Sequence, residues 1–449
     1  MHRYIKHCSI IGLWFFVLAF CLKFIHINEI EDGRLYLICS ILQFLILFPT
    51  VLNVTGLFGL LFVNCYPDKP VLKRSSKYLP FETFMCFRVV TRGLYPQLVK
   101  TSLQRNIDIC IKLGLSNYVF EVVTDEFIGI KESLNVREVV VPENYQTKHG
   151  SRYKARALQY CLEEGVNILS DNDWIIHLDE ETLMTERSLI GVINFINDGQ
   201  YEFGQGVITY ANEEIVCWIT TLADSVRVGI DYGLIRFTLG QLHRPIFNWK
   251  GSFIVANAGA EKSVSFDFGL EGSITEDCYF GMKAWEMGYR FNFIEGEMWE
   301  KSTFSVMDYI RQRRRWFLGI SKVFLSNNIK LPYRTGLFFL LISQLSVPFL
   351  TASALTGIPK NSQLRIVFVV QTAIFMFIYI VGVMKSFQHH RCRWWLPLFA
   401  FFIAFPMSVV LSVLETSGTY WAITRWSQVG FHIVNKNISP VNNREIRIT

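Results

Sequence analysis

The chain has ten cysteines but no Cys-x-x-Cys pair, and they are scattered singly along 449 residues. That spacing excludes a zinc ribbon and offers no framework for a disulfide-stapled domain. It fits reduced thiols facing the cytosol or lipid. Charge is also scarce: Asp, Glu, Lys and Arg make up 18% of the residues, against about a quarter in an ordinary soluble domain. The net charge is only +6, and no basic tract is long enough for a nucleic-acid-binding arm. Nucleic acid is therefore excluded as a partner, and anionic lipid heads or phosphates suit the balance better.

Apolar residues are abundant, at 51% hydrophobic and 15% aromatic, with 38 Phe. The excess lies towards the two ends of the chain, which is the composition of a membrane protein. Ser9–Leu22 is nearly all apolar and ends at Lys23. No small-x-small cleavage site follows, so an uncleaved first span is expected. Leu35–Tyr66 carries no charge and has Pro49 near its middle. One helix of that length is about 45 Å long, against the roughly 30 Å a bilayer core needs. A single tilted or kinked span is expected. Three more candidates are Gly336–Gly357, Ile366–Met384 and Leu396–Leu414. The last contains Pro397 and Pro406 and reads either as a span or as a re-entrant, interfacial element. Lys69, Lys73, Arg74, Lys77, Lys330, Arg334, Lys385, Arg391 and Arg393 flank the spans on one side. The positive-inside bias then puts the bilayer-bound domain between them in the cytosol.

The expected organisation is a first span and loop (1–34), a second span with a basic flank (35–79) and an α/β domain (80–300). Interfacial helices (301–333), a C-terminal membrane region (334–415) and a tail (416–449) follow. Within the domain, Phe87–Val90, Tyr118–Val123 and Asp173–Leu178 read as buried strands. Ser151 is placed to cap a helix over 152–164 that stops at Gly165. Thr275 is placed to cap one running to Met287, with a strand over 290–294 after it. His177 reads as a core histidine, and His389-His390-Arg391-Cys392 as an interfacial loop rather than a metal box.

Three stretches carry chemistry. Asp179-Glu180-Glu181 ends an apolar strand, where ligands bind in open α/β sheets. Three adjacent carboxylates repel unless a cation neutralises them, and hard oxygen ligands suit Mg²⁺ or Mn²⁺ on a substrate diphosphate. Asp277, in the first turn of its helix, is the candidate general base, with Glu276 beside it. Gln312-Arg313-Arg314-Arg315-Trp316 puts arginine forks and an indole at a membrane surface, where they can offset a leaving diphosphate and cover an acceptor. Lys154 is a candidate phosphate partner, and Asp125, after a β-rich run, can read a base or ribose edge.

These motifs, in this order, resemble the inverting GT-A glycosyltransferases of family 2 that include cellulose, chitin and hyaluronan synthases. The resemblance covers roughly residues 80–330 and the helix that follows. It implies a GT-A domain with a Rossmann-like mixed sheet, inserted between the helices of a multi-pass membrane protein. Asp125, Lys154, Asp179 and Arg315 would bind the donor. Glu276, Gln312, Arg313 and Trp316 would face the acceptor and diphosphate, and Asp277 would be catalytic. Asp179 and Glu181 would hold the metal. Glu181 stands where the family has a second Asp, which leaves open which carboxylate binds it. Phe431–Lys436 resembles the family's gating loop. Either Leu396–Leu414 does not cross the membrane or that analogy fails. The strings His177–Thr182, Ile274–Phe280 and Arg311–Trp316 more closely resemble egghead-type invertebrate β-1,4-mannosyltransferases. That implies GDP-mannose as donor, glucosylceramide as acceptor, and glycosphingolipid synthesis at the endoplasmic reticulum or Golgi. The alternative is a processive polysaccharide synthase using a UDP-sugar, which shares all of these motifs.

Overall fold

The computed structural model of the chain describes residues 2–23, 44–66, 69–72, 83–356, 362–389, 395–426 and Lys436. Lys73, Arg74, Lys77, His390–Arg393, Phe431–Asn435 and residues 35–43 of the expected second span lie outside the described residues.

Seven strands form one sheet: β1 (Met85–Thr91), β2 (Tyr118–Thr124), β3 (Val136–Val140), β4 (Trp174–Leu178), β5 (Phe203–Thr209), β6 (Ile254–Asn257) and β7 (Phe291–Trp299). Their order is β3-β2-β1-β4-β6-β5-β7. β6 runs antiparallel to both its neighbours, and every other pairing is parallel. This is the α/β, GT-A-type mixed sheet that the resemblance implies. β2, β4 and β5 are buried along their whole lengths, because helices cover both faces. β1, β2 and β4 are in parallel register, so their carboxyl ends open on one edge. Asp125 and Asp179, each the first residue past its strand, share that edge.

The helices are α1 (His2–Lys23), α2 (Leu47–Phe62), α3 (Pro96–Lys112), α4 (Tyr153–Tyr160), α5 (Glu186–Asp198), α6 (Trp218–Ile230) and α7 (Arg236–Gly240). After them come α8 (Ala258–Val264), α9 (Glu276–Glu286), α10 (Val306–Leu325), α11 (Leu331–Thr356), α12 (Ser362–Ser386) and α13 (Leu396–Thr424). Among the described residues five helical stretches are long and apolar enough to cross a membrane, in α1, α2, α11, α12 and α13.

Several boundaries differ from the sequence expectation. Pro49 is the third residue of α2, just after a 3₁₀ turn over Phe44–Ile46, so the helix changes type beside it. α4 ends at Tyr160, four residues short of the expected 164, and Arg152 rather than Ser151 precedes it. The Ser151 hydroxyl is engaged elsewhere: it accepts from the Gly269 N–H at 2.9 Å and donates to the Phe266 carbonyl at 3.2 Å. β7 continues to Trp299, where it meets Leu183 in an isolated bridge.

α6 and α7 were not anticipated. They are joined by a π-helical turn, Asp231–Ile235, into one run from Trp218 to Gly240. This run docks the domain on the apolar helices through glycines. A Cβ on Gly59 of α2 would sit 2.0 Å from the Gly233 carbonyl oxygen, and one on Gly382 of α12 would sit 2.0 Å from that of Ser225. Such backbone approach is how helices associate in lipid, where apolar side chains gain little from each other.

Residues on both sides of α13 meet the α/β domain: His389 meets Glu297 of β7 at 2.7 Å, and Lys436 meets Glu180 at 2.7 Å. α13 itself is long and apolar enough to cross a membrane.

Gly382→Ala should force α12 away from α6 and lower stability by about 1–3 kcal/mol. Gly12→Ala, whose Cβ meets nothing within 4 Å, is the control. Thermal unfolding in detergent checks both, and equal melting points would refute the docking account.

Candidate active site

The turn after β4 is fixed from three sides. The Asp179 N–H donates to the hydroxyls of Thr182, at 3.1 Å, and Ser252, at 3.2 Å. The Asn106 amide of α3 donates to the Thr182 carbonyl at 2.9 Å. Asp179 thus faces the open sheet edge, with its side chain 41% exposed. Lys154, in the first turn of α4, donates to Asp179 Oδ1 at 2.6 Å. Desolvation in the crevice opposes ionisation of Asp179, but Lys154 outweighs it, so the carboxyl sits below its ordinary range. Glu180 accepts from the Thr91 hydroxyl, and the Lys436 ammonium bridges Glu180 and Glu181. Burial pushes Glu181 up, helped by Asp179 and Glu180 and opposed by Lys436.

α9 brings the next acids. Its amino end follows Thr275, whose hydroxyl makes no cap bond and is buried without a partner. Asp277 Oδ1 accepts from the Cys278 N–H at 2.8 Å. Burial pushes Asp277 above its ordinary value, against that N–H, Lys154 and Arg315. Glu276 is pushed up to about 7 by burial and by the Asp277 carboxylate. A Cβ on Gly251 would lie 3.1 Å from Asp277 Oδ2, so the glycine lets its loop close on the acid.

α10 supplies the arginine cluster, and its members are not equivalent. Arg313 is buried, bridging Asp224 of α6 at 2.7 Å and Glu415 of α13 at 2.9 Å. Its guanidinium and that of Arg227 lie 4.4 and 4.5 Å from the Trp316 ring centre. Trp316 thus has two cations over its ring. Arg315 donates to the Ile274 carbonyl, just ahead of α9, at 3.3 Å. Gln312 Oε1 is buried and unpartnered. Asp125 accepts from Arg156 at 2.6 Å, with Arg92 at 3.8 Å.

All ten residues singled out from the sequence line one cavity of about 1050 Å³: Asp125, Lys154, Asp179, Glu181, Glu276, Asp277, Gln312, Arg313, Arg315 and Trp316. His177 does not; it lies buried in β4 and meets Glu261 at 2.6 Å. Sequence reasoning missed a second charged set on the same wall. Asp224, Arg227 and Asp231 recur at i, i+3 and i+7 along an otherwise apolar helix, and Lys250 pairs with Asp231. That spacing within Trp218–Gly240 was the available signal. Glu300, just past β7, was missed too. Burial, with Glu181 and Asp179 near it, pushes its carboxyl up to about 8, while the Thr182 and Ser252 hydroxyls bond to it.

Among the described residues no three His, Cys, Asp or Glu side chains form a ready metal cage. A Mg²⁺-type ion needs only one or two carboxylates when substrate phosphates and water complete its shell. Asp179, partly exposed at the strand end, fits that thin donor set. The ammonium groups of Lys154 and Lys436 supply positive charge at the same acids.

The family described as glycosyl transferase family group 2 matches residues 174–434. Beta-1,4-mannosyltransferase egh of Drosophila melanogaster is 43% identical over 419 residues, covering 91% of this chain and 90% of the relative. The bre-3 beta-1,4-mannosyltransferases of Caenorhabditis briggsae and Caenorhabditis elegans are each 40% identical over 453 residues, covering 98% of this chain and 99% of the relative. A match over more than half the chain, with relatives aligned along nearly all of it, makes the protein a glycosyltransferase that belongs to glycosyl transferase family group 2.

Proposed function

We propose that the protein transfers mannose from GDP-mannose, in β-1,4 linkage and with inversion, to the sugar of a membrane glycolipid, glucosylceramide. The observation that carries this reading is the single cavity. It joins the acids at the sheet edge to a space between apolar helices, so a water-soluble donor and a lipid-borne acceptor can meet. The relatives' shared name supports the linkage and the sugar.

Asp277 takes the proton of the acceptor hydroxyl, whose oxygen attacks the anomeric carbon. The bond from that carbon to the diphosphate breaks, and the electron pair leaves with the nucleotide. One base and one displacement turn an α-linked donor into a β-product. Asp179 would hold Mg²⁺ or Mn²⁺, whose charge would offset that of the leaving diphosphate. Lys154 and Arg315 supply further positive charge, Asp125 meets the nucleoside, and Trp316 with Gln312 shapes the acceptor side. Chemistry takes place at the cytosolic face of the endoplasmic reticulum or Golgi.

Asp277→Asn should retain GDP-mannose binding and lose about 10²–10⁴-fold in transfer. Wild-type turnover by that variant removes Asp277 from the reaction.

A general base works only when deprotonated, so activity should fall as the pH drops. The fall should begin above the ordinary aspartate value of about 4, because burial raises Asp277 and its neighbour Glu276 titrates near 7. Removing the Lys154 ammonium, which holds Asp277 down, in Lys154→Met should move this acid limb of kcat/KM to higher pH. An unmoved limb would argue that another group titrates.

Chelation should abolish transfer and added Mn²⁺ or Mg²⁺ should restore it; full activity in chelator rejects the metal. Mass spectrometry of the product should find one added hexose per lipid. A ladder of sugars would point to a processive synthase instead.

A further inference from the structure

The catalytic cavity has an arm that reaches between four of the apolar helices. Gln344 and Thr351 of α11, Gln371 and Phe375 of α12, and Ser408 and Ser412 of α13 line it at helical spacing, with Asn53 of α2. Each helix thus turns one mixed stripe inward. Polar side chains in a membrane helix bundle commonly face a cavity and mark the route of a substrate.

Among the described residues, two of these side chains carry a buried oxygen that meets no hydrogen-bond donor. Gln371 is only 6% exposed, and its carboxamide oxygen has no hydrogen-bond partner. The buried carboxamide oxygen of Gln344 has none either. By contrast the Thr351 and Ser412 hydroxyls bond to each other at 2.5 Å. Glu415, at the catalytic end of the stripe, is already held by Arg313 and by the Tyr309 hydroxyl at 3.0 Å. The unmet groups of the arm are therefore neutral acceptors among aromatic and aliphatic side chains. A buried acceptor without a donor is costly enough to need an explanation.

We infer that Gln371 and Gln344 form a specificity site for the head–tail junction of the acceptor lipid, reading N–H and O–H donors on a neutral, amide-linked backbone. This rests on the glycolipid-acceptor reading above and adds what selects the lipid. An ester-linked diacyl backbone offers only acceptors at that junction and leaves both oxygens unmet. An amide-linked backbone with a free hydroxyl offers two donors. Neither glutamine carries charge, so the site gains nothing from an anionic head.

The test uses the full chain in nanodiscs with two fluorescent glucosyl lipids of equal chain length, one amide-linked with a free hydroxyl and one diacyl ester. Binding is read directly, without turnover. The wild type should bind the amide lipid about tenfold more tightly than the ester. Gln371→Leu should erase that preference by weakening the amide lipid alone, with unchanged GDP-mannose affinity and melting temperature. Gln344→Leu should act in the same direction. Equal wild-type affinities would overturn the proposal. So would a Leu variant that keeps the preference or weakens both lipids alike; the second outcome indicates a structural or water-binding role. Turnover on the same preparations separates the two readings. Selective binding without mannose transfer sinks the acceptor assignment and leaves the lipid site standing.

Discussion

Six carboxyl groups converge on one crevice: Asp179, Glu180 and Glu181 after β4, Glu276 and Asp277 at the start of α9, and Glu300 after β7. Together and fully ionised in a desolvated space they would drive the site apart. Everything else in the site answers that repulsion. Lys154 comes from α4 to Asp179, Lys436 returns from beyond α13 to Glu180 and Glu181, and Arg315 faces α9. Where burial outweighs the nearby cations, the acids are pushed towards holding protons instead, as Glu276 and Glu300 are. On the proposed reading this sorting is also the division of labour. The acid kept ionised by Lys154 binds a cation, and the acid raised by burial handles a proton.

The second constraint is mechanical. On the proposed reading, a soluble donor and a membrane acceptor can react only if the sheet holds a fixed position against the apolar helices. Gly59 against Gly233 and Gly382 against Ser225 bring backbones together where any side chain would separate them. Gly418 of α13 does the same against Arg313 and Arg314 of α10. The motif-bearing α10 is thus set by the helix behind it, and Arg313 locks that setting through Asp224 and Glu415. Its burial between these acids makes it a strut as well as a cavity wall, a role that three consecutive arginines in a sequence do not disclose.

What was legible from sequence follows from how local the cause is. β4 could be read because five buried residues in a row precede three acids, a pattern set by pleat and burial alone. Six of the cavity's ten named residues could be read because strand ends and helix starts carry them, and the four on α10 because their charges and indole are consecutive in sequence. The unread parts depend on distant partners. Ser151 looked like a helix cap, but Gly269 and Phe266 claim its hydroxyl from more than a hundred residues away. The change from 3₁₀ to α-helix beside Pro49 has no mark in an unbroken apolar run. Asp224, Arg227 and Asp231 had a readable period, yet only the docked α12 reveals that Asp224 and Asp231 are buried and must find cationic partners.

The cavity also changes character along its length, and that gradient bears on how a two-phase reaction is organised. At the nucleotide end Arg92 and Asp125 keep side chains 55% and 32% exposed, where water can solvate a departing diphosphate. In the helix-lined arm the polar groups are neutral and Gln371 is almost wholly buried. Asp277 lies between these regimes, close enough to Lys154 and Arg315 to be ionised on demand and buried enough to hold a proton once it arrives. Moved towards the open end, it would be a solvated, weakly basic carboxylate. Moved into the arm, it would stay protonated and could accept nothing. On the proposed reading, a base that must serve a hydroxyl arriving from lipid and a diphosphate arriving from water is therefore confined to the boundary, and the first turn of α9 is where the fold puts Asp277.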